Sequence, residues 1–241
     1  AKEGVSKAIC EQVRDYLVDQ KLTNALNIPI SNLSLLNDLK PYLDLGEMLG
    51  DLMSQLNKEP INQVIIECKG NIEDIRLISL ATLKGILSPN LPDRVNYINA
   101  EAIAKELGIS IEIGYSNMDS NYNNLISLIV LTENNTFRLD GSIFDDSKPR
   151  LVNVLGRDME VTPKGAMLLI ENVDVPGVIG RVGTLLGNRE VNIAAYLLSR
   201  KNQNGKAFAV IRIDDSVELE DLTELRKLKE VEKVQHITVN T

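Results

Sequence analysis

The sequence predicts an α+β fold built as two units in series. Three observations carry this. Upstream of Pro60 the apolar residues recur at helical spacing only. From residue 61 to about 160, β-branched strand-like runs mix with helical ones. After "RDMEVTPKG" the pattern restarts in the order strand–helix–strand–strand–helix–strand, a ferredoxin-like βαββαβ arrangement.

Residues 3–18 place Val5, Ala8, Ile9, Val13, Tyr16 and Leu17 on one helical stripe. A polar connector follows, and Pro29 blocks further helix. The run 37–56 reads as a second helix, with Pro41 in its first turn and Leu45, Met48, Leu49, Leu52 and Leu56 facing inward. "INQVIIECKG" (61–70) alternates and reads as a strand. Residues 71–87 read as a helix with Ile75, Ile78, Leu83, Ile86 and Leu87 inward, and "NAEAIAKELG" as a short helix stopped by Gly108. Strands are expected over 109–116, 125–133, 136–144 and 150–155, with "ENNT" (133–136) as a hairpin turn. In the second unit, "AMLLIENV" is a strand and "PGVIGRVGTLLGNR" a helix with Val178, Val182, Leu185 and Leu186 inward. "VNIAAYLLSRK" and "KAFAVIRIDD" are strands about the turn "NQNGK"; "ELEDLTELRKLKEV" is a helix and "KVQHITVN" the last strand. Both helices of such a unit cover one sheet face. The other face and its edge need a cover, so self-association is expected.

Composition narrows the function. The 241 residues are 44% hydrophobic and 25% charged, the pattern of an ordinary globular protein. A formal charge of −8, no tryptophan and only 4% aromatics argue against a nucleic-acid partner. No apolar run approaches the ~20 residues of a membrane span. Cys10 and Cys68 are isolated and the N-terminus is not signal-like, which points to reduced thiols in a cytoplasm. His236 is the single histidine, which nearly excludes histidine-based metal clusters and Ser-His-Asp catalysis. The chain opens inside a helical pattern and reads as a fragment or excised piece.

The informative stretch is 170–200. Pro176 sets φ for a first helical turn, and the N–H groups that follow, with the helix dipole behind them, suit a carboxylate. Gly177 and Gly180 lack a Cβ and let a ligand come close. Asp174 offers a negative acceptor, and Asn172 and Asn192 offer amides. Together they match an α-amino acid. The plainer alternative stays open: Asp174 as a helix cap, Asn172 and Asn192 as polar strand ends.

"NVDVPGVIGRVGTLLGNREVNIA" (172–194) resembles the ACT domain of D-3-phosphoglycerate dehydrogenases, through the pattern D-x-P-G-x-x-G-x-[VI]-G-x-x-L-[GA]…[VI]-N-I-A. "EQVRDYL…TNALNIP" is similar to the end of that family's nucleotide-binding domain and its connector, and "YLDLGEMLGDLMSQL" to the entry of its intervening domain. The resemblance therefore implies three parts. Residues 1–32 would be the last helix and hinge of a nucleotide-binding domain, with 19–32 as the hinge. Residues 33–160 would be the allosteric substrate-binding (intervening) domain, and 161–241 the ACT domain. It implies ACT domains paired side by side in a dimer or tetramer, with L-serine or another small amino acid between them. Carried over by position, the effector site is Asn172 and Asp174 from one subunit and Asn192 from its partner, around the turn Pro176, Gly177, Ile179 and Gly180. Relatives often carry His or Tyr where this chain has Asn172.

The resemblance also implies a site for a phosphorylated or carboxylate anion at Arg150, Arg157 and Arg212, with Lys164 beside Thr162, where some relatives carry another arginine. For Arg212, an ion pair with Asp158 or another nearby acid is the open alternative. Lys148 and Lys164 by themselves read as solvated, residues 218–232 as a solvated helix face, and Met48, Met53 and Met118 as packing. The G-x-G-x-x-G fingerprint that would hold NAD is missing, as are candidate catalytic residues. The expectation is a regulatory piece without catalytic, cofactor or metal site, whose parent uses NAD. Two rivals remain: the regulatory part of an iron–sulfur L-serine dehydratase, and a stand-alone amino-acid-binding ACT protein.

Overall fold

The computed structural model describes residues 10, 13–14, 33–70, 72, 74–91, 95–116, 121–145, 147–200, 205–214 and 217–239. The helix expected at 3–18 lies almost wholly outside the described residues, and the 19–32 hinge, Met118 and most of the "NQNGK" turn lie outside them.

Helix α1 (Leu33–Leu56) packs on α2 (Ile75–Leu87), and α3 (Ala100–Glu106) follows. The first sheet holds β1 (Gln63–Gly70), β2 (Ser110–Ser116), β3 (Asn124–Leu131), β4 (Thr136–Ile143), β5 (Pro149–Val154) and β6 (Arg157–Val161), in the order β2-β1-β3-β4-β5-β6. Only β1 and β2 run parallel, joined through α2 and α3. The helix pair is unusually close because of glycine. A Cβ on Gly50 would sit 2.2 Å from the Thr82 carbonyl oxygen, and one on Gly85 2.1 Å from that of Glu47. Hence α2 is buried on nearly every side.

Two sequence expectations fail here. Pro41 is not in a first turn but inside α1, which starts at Leu33. The proline forgoes the bond to the Asn37 carbonyl, and the α1–α2 packing carries the helix through it. The segment read as a break, "RDMEVTPKG", contains strand β6, paired antiparallel to β5. Its alternation was hidden by the charged residues Asp158 and Glu160, which face solvent as edge-strand charges do.

The second sheet holds β7 (Gly165–Val173), β8 (Ile193–Arg200), β9 (Lys206–Ile213) and β10 (Val231–Val239) in the order β10-β7-β9-β8, all antiparallel. Helices α4 (Val178–Asn188) and α5 (Leu219–Lys227) cover one face. Leu168, Ile170, Val182, Leu186, Ala209, Ile211 and Leu225 fill that core. The opposite face is not left for a partner, as expected from the βαββαβ pattern alone. Met167, Leu169, Phe208, Val210, Ile237 and Val239 join the core of the first unit. Gln55 of α1 brackets Thr238 at the β10 edge: its Nε2 donates to the carbonyl and its Oε1 accepts from the N–H, both at 2.8 Å. Gln235 Nε2 donates to the Leu56 carbonyl (3.1 Å). One face and one edge are thereby closed within the chain. At the other edge, β8 has no strand partner among the described residues.

Candidate functional site

At the end of β7 the chain turns into α4 through Val175-Pro176-Gly177. The helix begins at Val178, two positions later than the sequence pattern suggests, because Gly177 takes φ +89°, the left-handed region that glycine occupies without penalty. Pro176 therefore precedes the cap instead of lying in the first turn. Gly177 offers no side-chain cap, and the first turn carries no acidic residue. The first N–H groups of α4 keep their pull on a negative charge.

A cleft of about 490 Å³ opens over this turn, lined from β7, α4 and β8. Asn172, Asp174, Pro176, Gly177, Ile179 and Gly180 all line it, so all of the expected effector residues but Asn192 meet at a single place. Asn172 is 3% exposed. Its Nδ2 donates to the Val173 carbonyl (2.8 Å), but its buried Oδ1 has no partner among the described residues. Asp174 is not the helix cap. Its carboxylate lies 3.3 Å from Arg200 Nε, and its N–H donates to the Gly205 carbonyl (2.8 Å). A Cβ on Gly180 would meet nothing within 4 Å. Asn192 stands apart: exposed, at the far end of β8 from Arg200, with Nδ2 bonded to the Asp214 carboxylate.

Two polar cleft residues escaped the sequence reading. Arg200 ends β8 beside Asp174, and Tyr196 lies on the same strand, its hydroxyl oxygen buried and unpartnered among the described residues. Burial pushes the Tyr196 phenol above its ordinary range. The signal available was period-two alternation: Tyr196, Leu198 and Arg200 share one face of β8. A carboxylate, a guanidinium, a helix N-terminus and a lone amide oxygen in one cleft complement a zwitterion.

The arginines are not gathered in the same way. Arg150 stacks over Phe144 (5.4 Å) and donates to the Pro149 carbonyl (3.0 Å). Arg157 stacks over Phe208 (5.6 Å), with its Nε buried and unpartnered among the described residues. Arg212 shares the Phe208 face of β9 but lies four residues along it, about 13 Å at strand spacing. It forms no ion pair among the described residues. Asp158, its expected partner, instead accepts from Asn153 Nδ2 (2.7 Å). Lys164 is exposed. A larger cavity of about 1020 Å³ adjoins α1, and its walls include Asp44, Glu47 and Asp51. Those carboxylates oppose an anion, and none of the four basic residues lines it. Elsewhere, burial pushes the Cys68 thiol up to about 12 and holds His236 below its usual range.

The one parallel crossover described is where a dinucleotide would be expected; there Gly70, the last residue of β1, is packed so that a Cβ would lie 2.2 Å from the Asn123 carbonyl oxygen. Asp74 caps α2, its carboxylate accepting from Leu77 N–H (3.0 Å), which puts negative charge where a pyrophosphate would lie.

The model of the D-3-phosphoglycerate dehydrogenase intervening domain matches residues 38–155, and that of the ACT domain residues 166–230. The D-3-phosphoglycerate dehydrogenase of Bacillus subtilis (strain 168) is 32% identical over 220 residues, 90% of this chain and 42% of that protein. The Methanocaldococcus jannaschii enzyme of the same name is 32% identical over 222 residues, 91% of this chain and 42% of that one. The chain thus spans about two-fifths of the length of these relatives. Among solved structures, the ACT domain of a GTP pyrophosphokinase of Chlorobium tepidum is 21% identical, covering 32% of this chain and 100% of that one, with a TM-score of 0.25.

Proposed function

Since the chain belongs to the D-3-phosphoglycerate dehydrogenase family, through an intervening domain joined to an ACT domain, we propose that it serves as the regulatory region of such an enzyme and binds L-serine as feedback effector. The parent would oxidise 3-phosphoglycerate with NAD in the cytoplasm, at residues outside this chain; the chain itself would turn nothing over. The intervening-domain match favours this over a serine dehydratase part or a stand-alone ACT protein.

The observation that carries the reading is the unpartnered, buried Asn172 Oδ1 beside Asp174 at the uncapped start of α4. A buried acceptor left unpaired costs about 1–3 kcal/mol, which a bound ammonium would recover. The open β8 edge supports a shared site. Two copies pairing β8 antiparallel about a two-fold axis near Tyr196 would set Asn192 of the partner subunit against Arg200, at the mouth of this cleft. An effector held from both sides favours the paired arrangement by its differential affinity, and that coupling is the regulatory signal. Arg157 is proposed to meet a phosphate or carboxylate anion in the layer between the two sheets, its buried Nε being the support.

Isothermal titration of the chain with L-serine tests the reading. Saturable binding is expected, with the self-associated fraction rising in sedimentation. Absence of heat at millimolar serine would contradict it.

A further inference from the structure

Once an α-amino acid is placed in this cleft, its two charged groups are accounted for. Asp174 and Asn172 Oδ1 meet the ammonium; the first N–H groups of α4 and Arg200 meet the carboxylate. What remains facing the third substituent is the β8 wall. There Leu198 is apolar, and the one polar side chain besides Arg200 is that of Tyr196. Tyr196 lies opposite Ile211 in the β8–β9 register, on the helix-covered side of the sheet. Its hydroxyl oxygen is buried and has no partner among the described residues. Native folds rarely strand a polar atom in this way. In one cleft it happens twice, at Asn172 Oδ1 and at Tyr196.

The two orphans differ in kind. An amide oxygen only accepts, which suits an ammonium. A phenol donates and accepts, which suits a hydroxyl. We infer that Tyr196 determines the specificity of the cleft: its hydroxyl hydrogen-bonds the side-chain hydroxyl of a small amino acid and so separates serine from alanine and glycine. This deepens the effector reading above and rests on it. The phenol keeps its proton at neutral pH, as an ordinary tyrosine does, and burial pushes its pKa further up, so both of its hydrogen-bonding roles stay available. A site that pairs a ligand hydroxyl rejects the analogue lacking one more strongly than an apolar pocket does, because the buried group is left unpaired.

The test is calorimetry on the whole chain with L-serine, L-alanine and O-methyl-L-serine, on wild type and Tyr196→Phe. Wild type should bind serine about tenfold or more tighter than alanine, with O-methylserine near alanine. Tyr196→Phe should lose about tenfold for serine and stay within about twofold for alanine. The phenol oxygen makes no protein bond among the described residues, so the thermal midpoint should hold; the ligand series needs no variant at all. A serine-to-alanine ratio that survives Tyr196→Phe, or a parallel loss for both ligands, overturns the inference while leaving the effector reading intact. If wild type binds none of the three, both fall together.

Discussion

Two helices in this chain follow the first strand of their sheets, and they begin in opposite ways. Helix α2 starts behind Asp74, whose carboxylate closes on the Leu77 N–H, and the helix then sinks into the core on almost every side. Helix α4 starts behind Gly177 in a left-handed turn, with no side-chain cap, no acid in its first turn and a cleft above it. The same backbone ending is spent on stability in one place and left available for a ligand in the other. The glycines repeat the lesson. Gly85 is needed because a neighbouring backbone fills the space a Cβ would take; Gly180 has nothing near it.

The sharpest way to break the contrast is to fill both glycines. Gly85→Ala should cost about 3 kcal/mol of stability, since the Glu47 carbonyl oxygen must move with its helix. Gly180→Ala should be neutral or gain up to about 1 kcal/mol. Thermal and urea unfolding of the two variants check this, and equal costs would erase the distinction. Next in size are the two aspartates. Asp174→Ala should weaken serine by roughly tenfold to a hundredfold, the weight of a hydrogen bond to a charged group, and leave the melting temperature nearly unchanged. Asp74→Ala should do the reverse, losing about 1 kcal/mol of stability with serine affinity intact.

The smallest effect belongs to the closed edge. His236 on β10 is held below its ordinary pKa of 6.5 by burial. The unfolded chain therefore binds its proton first, and its contribution to stability is complete above about pH 6.5 and lost as pH falls below it. A melting curve between pH 7.5 and 5.5 should be flatter in His236→Gln than in wild type.

Much of this was legible in the sequence. The βαββαβ order and the residues of the α4 turn follow from period and punctuation, because strand alternation and Pro-Gly are local signals. What escaped depended on tertiary context. Pro41 lies mid-helix because packing with α2 outweighs one lost hydrogen bond. Strand β6 was masked by the charges that an edge strand turns to solvent. The open sheet face was assigned to a partner, whereas α1 and the first sheet's edge cover it; no periodicity in β7 or β9 says which surface will meet them. Tyr196 and Arg200 belong to the cleft only because β8 lies beside β9 and α4 crosses above, and a strand's alternation does not name its neighbours. The four basic residues looked like a set in sequence and are spread along three strands and a loop in space.

A crystal structure of the chain grown with L-serine tests the central claim most directly. The account predicts serine in the cleft above Gly177, its ammonium at Asp174 and Asn172 Oδ1 and its hydroxyl on Tyr196, with two β8 edges paired. Serine bound elsewhere, or an empty cleft at saturating serine, would contradict it.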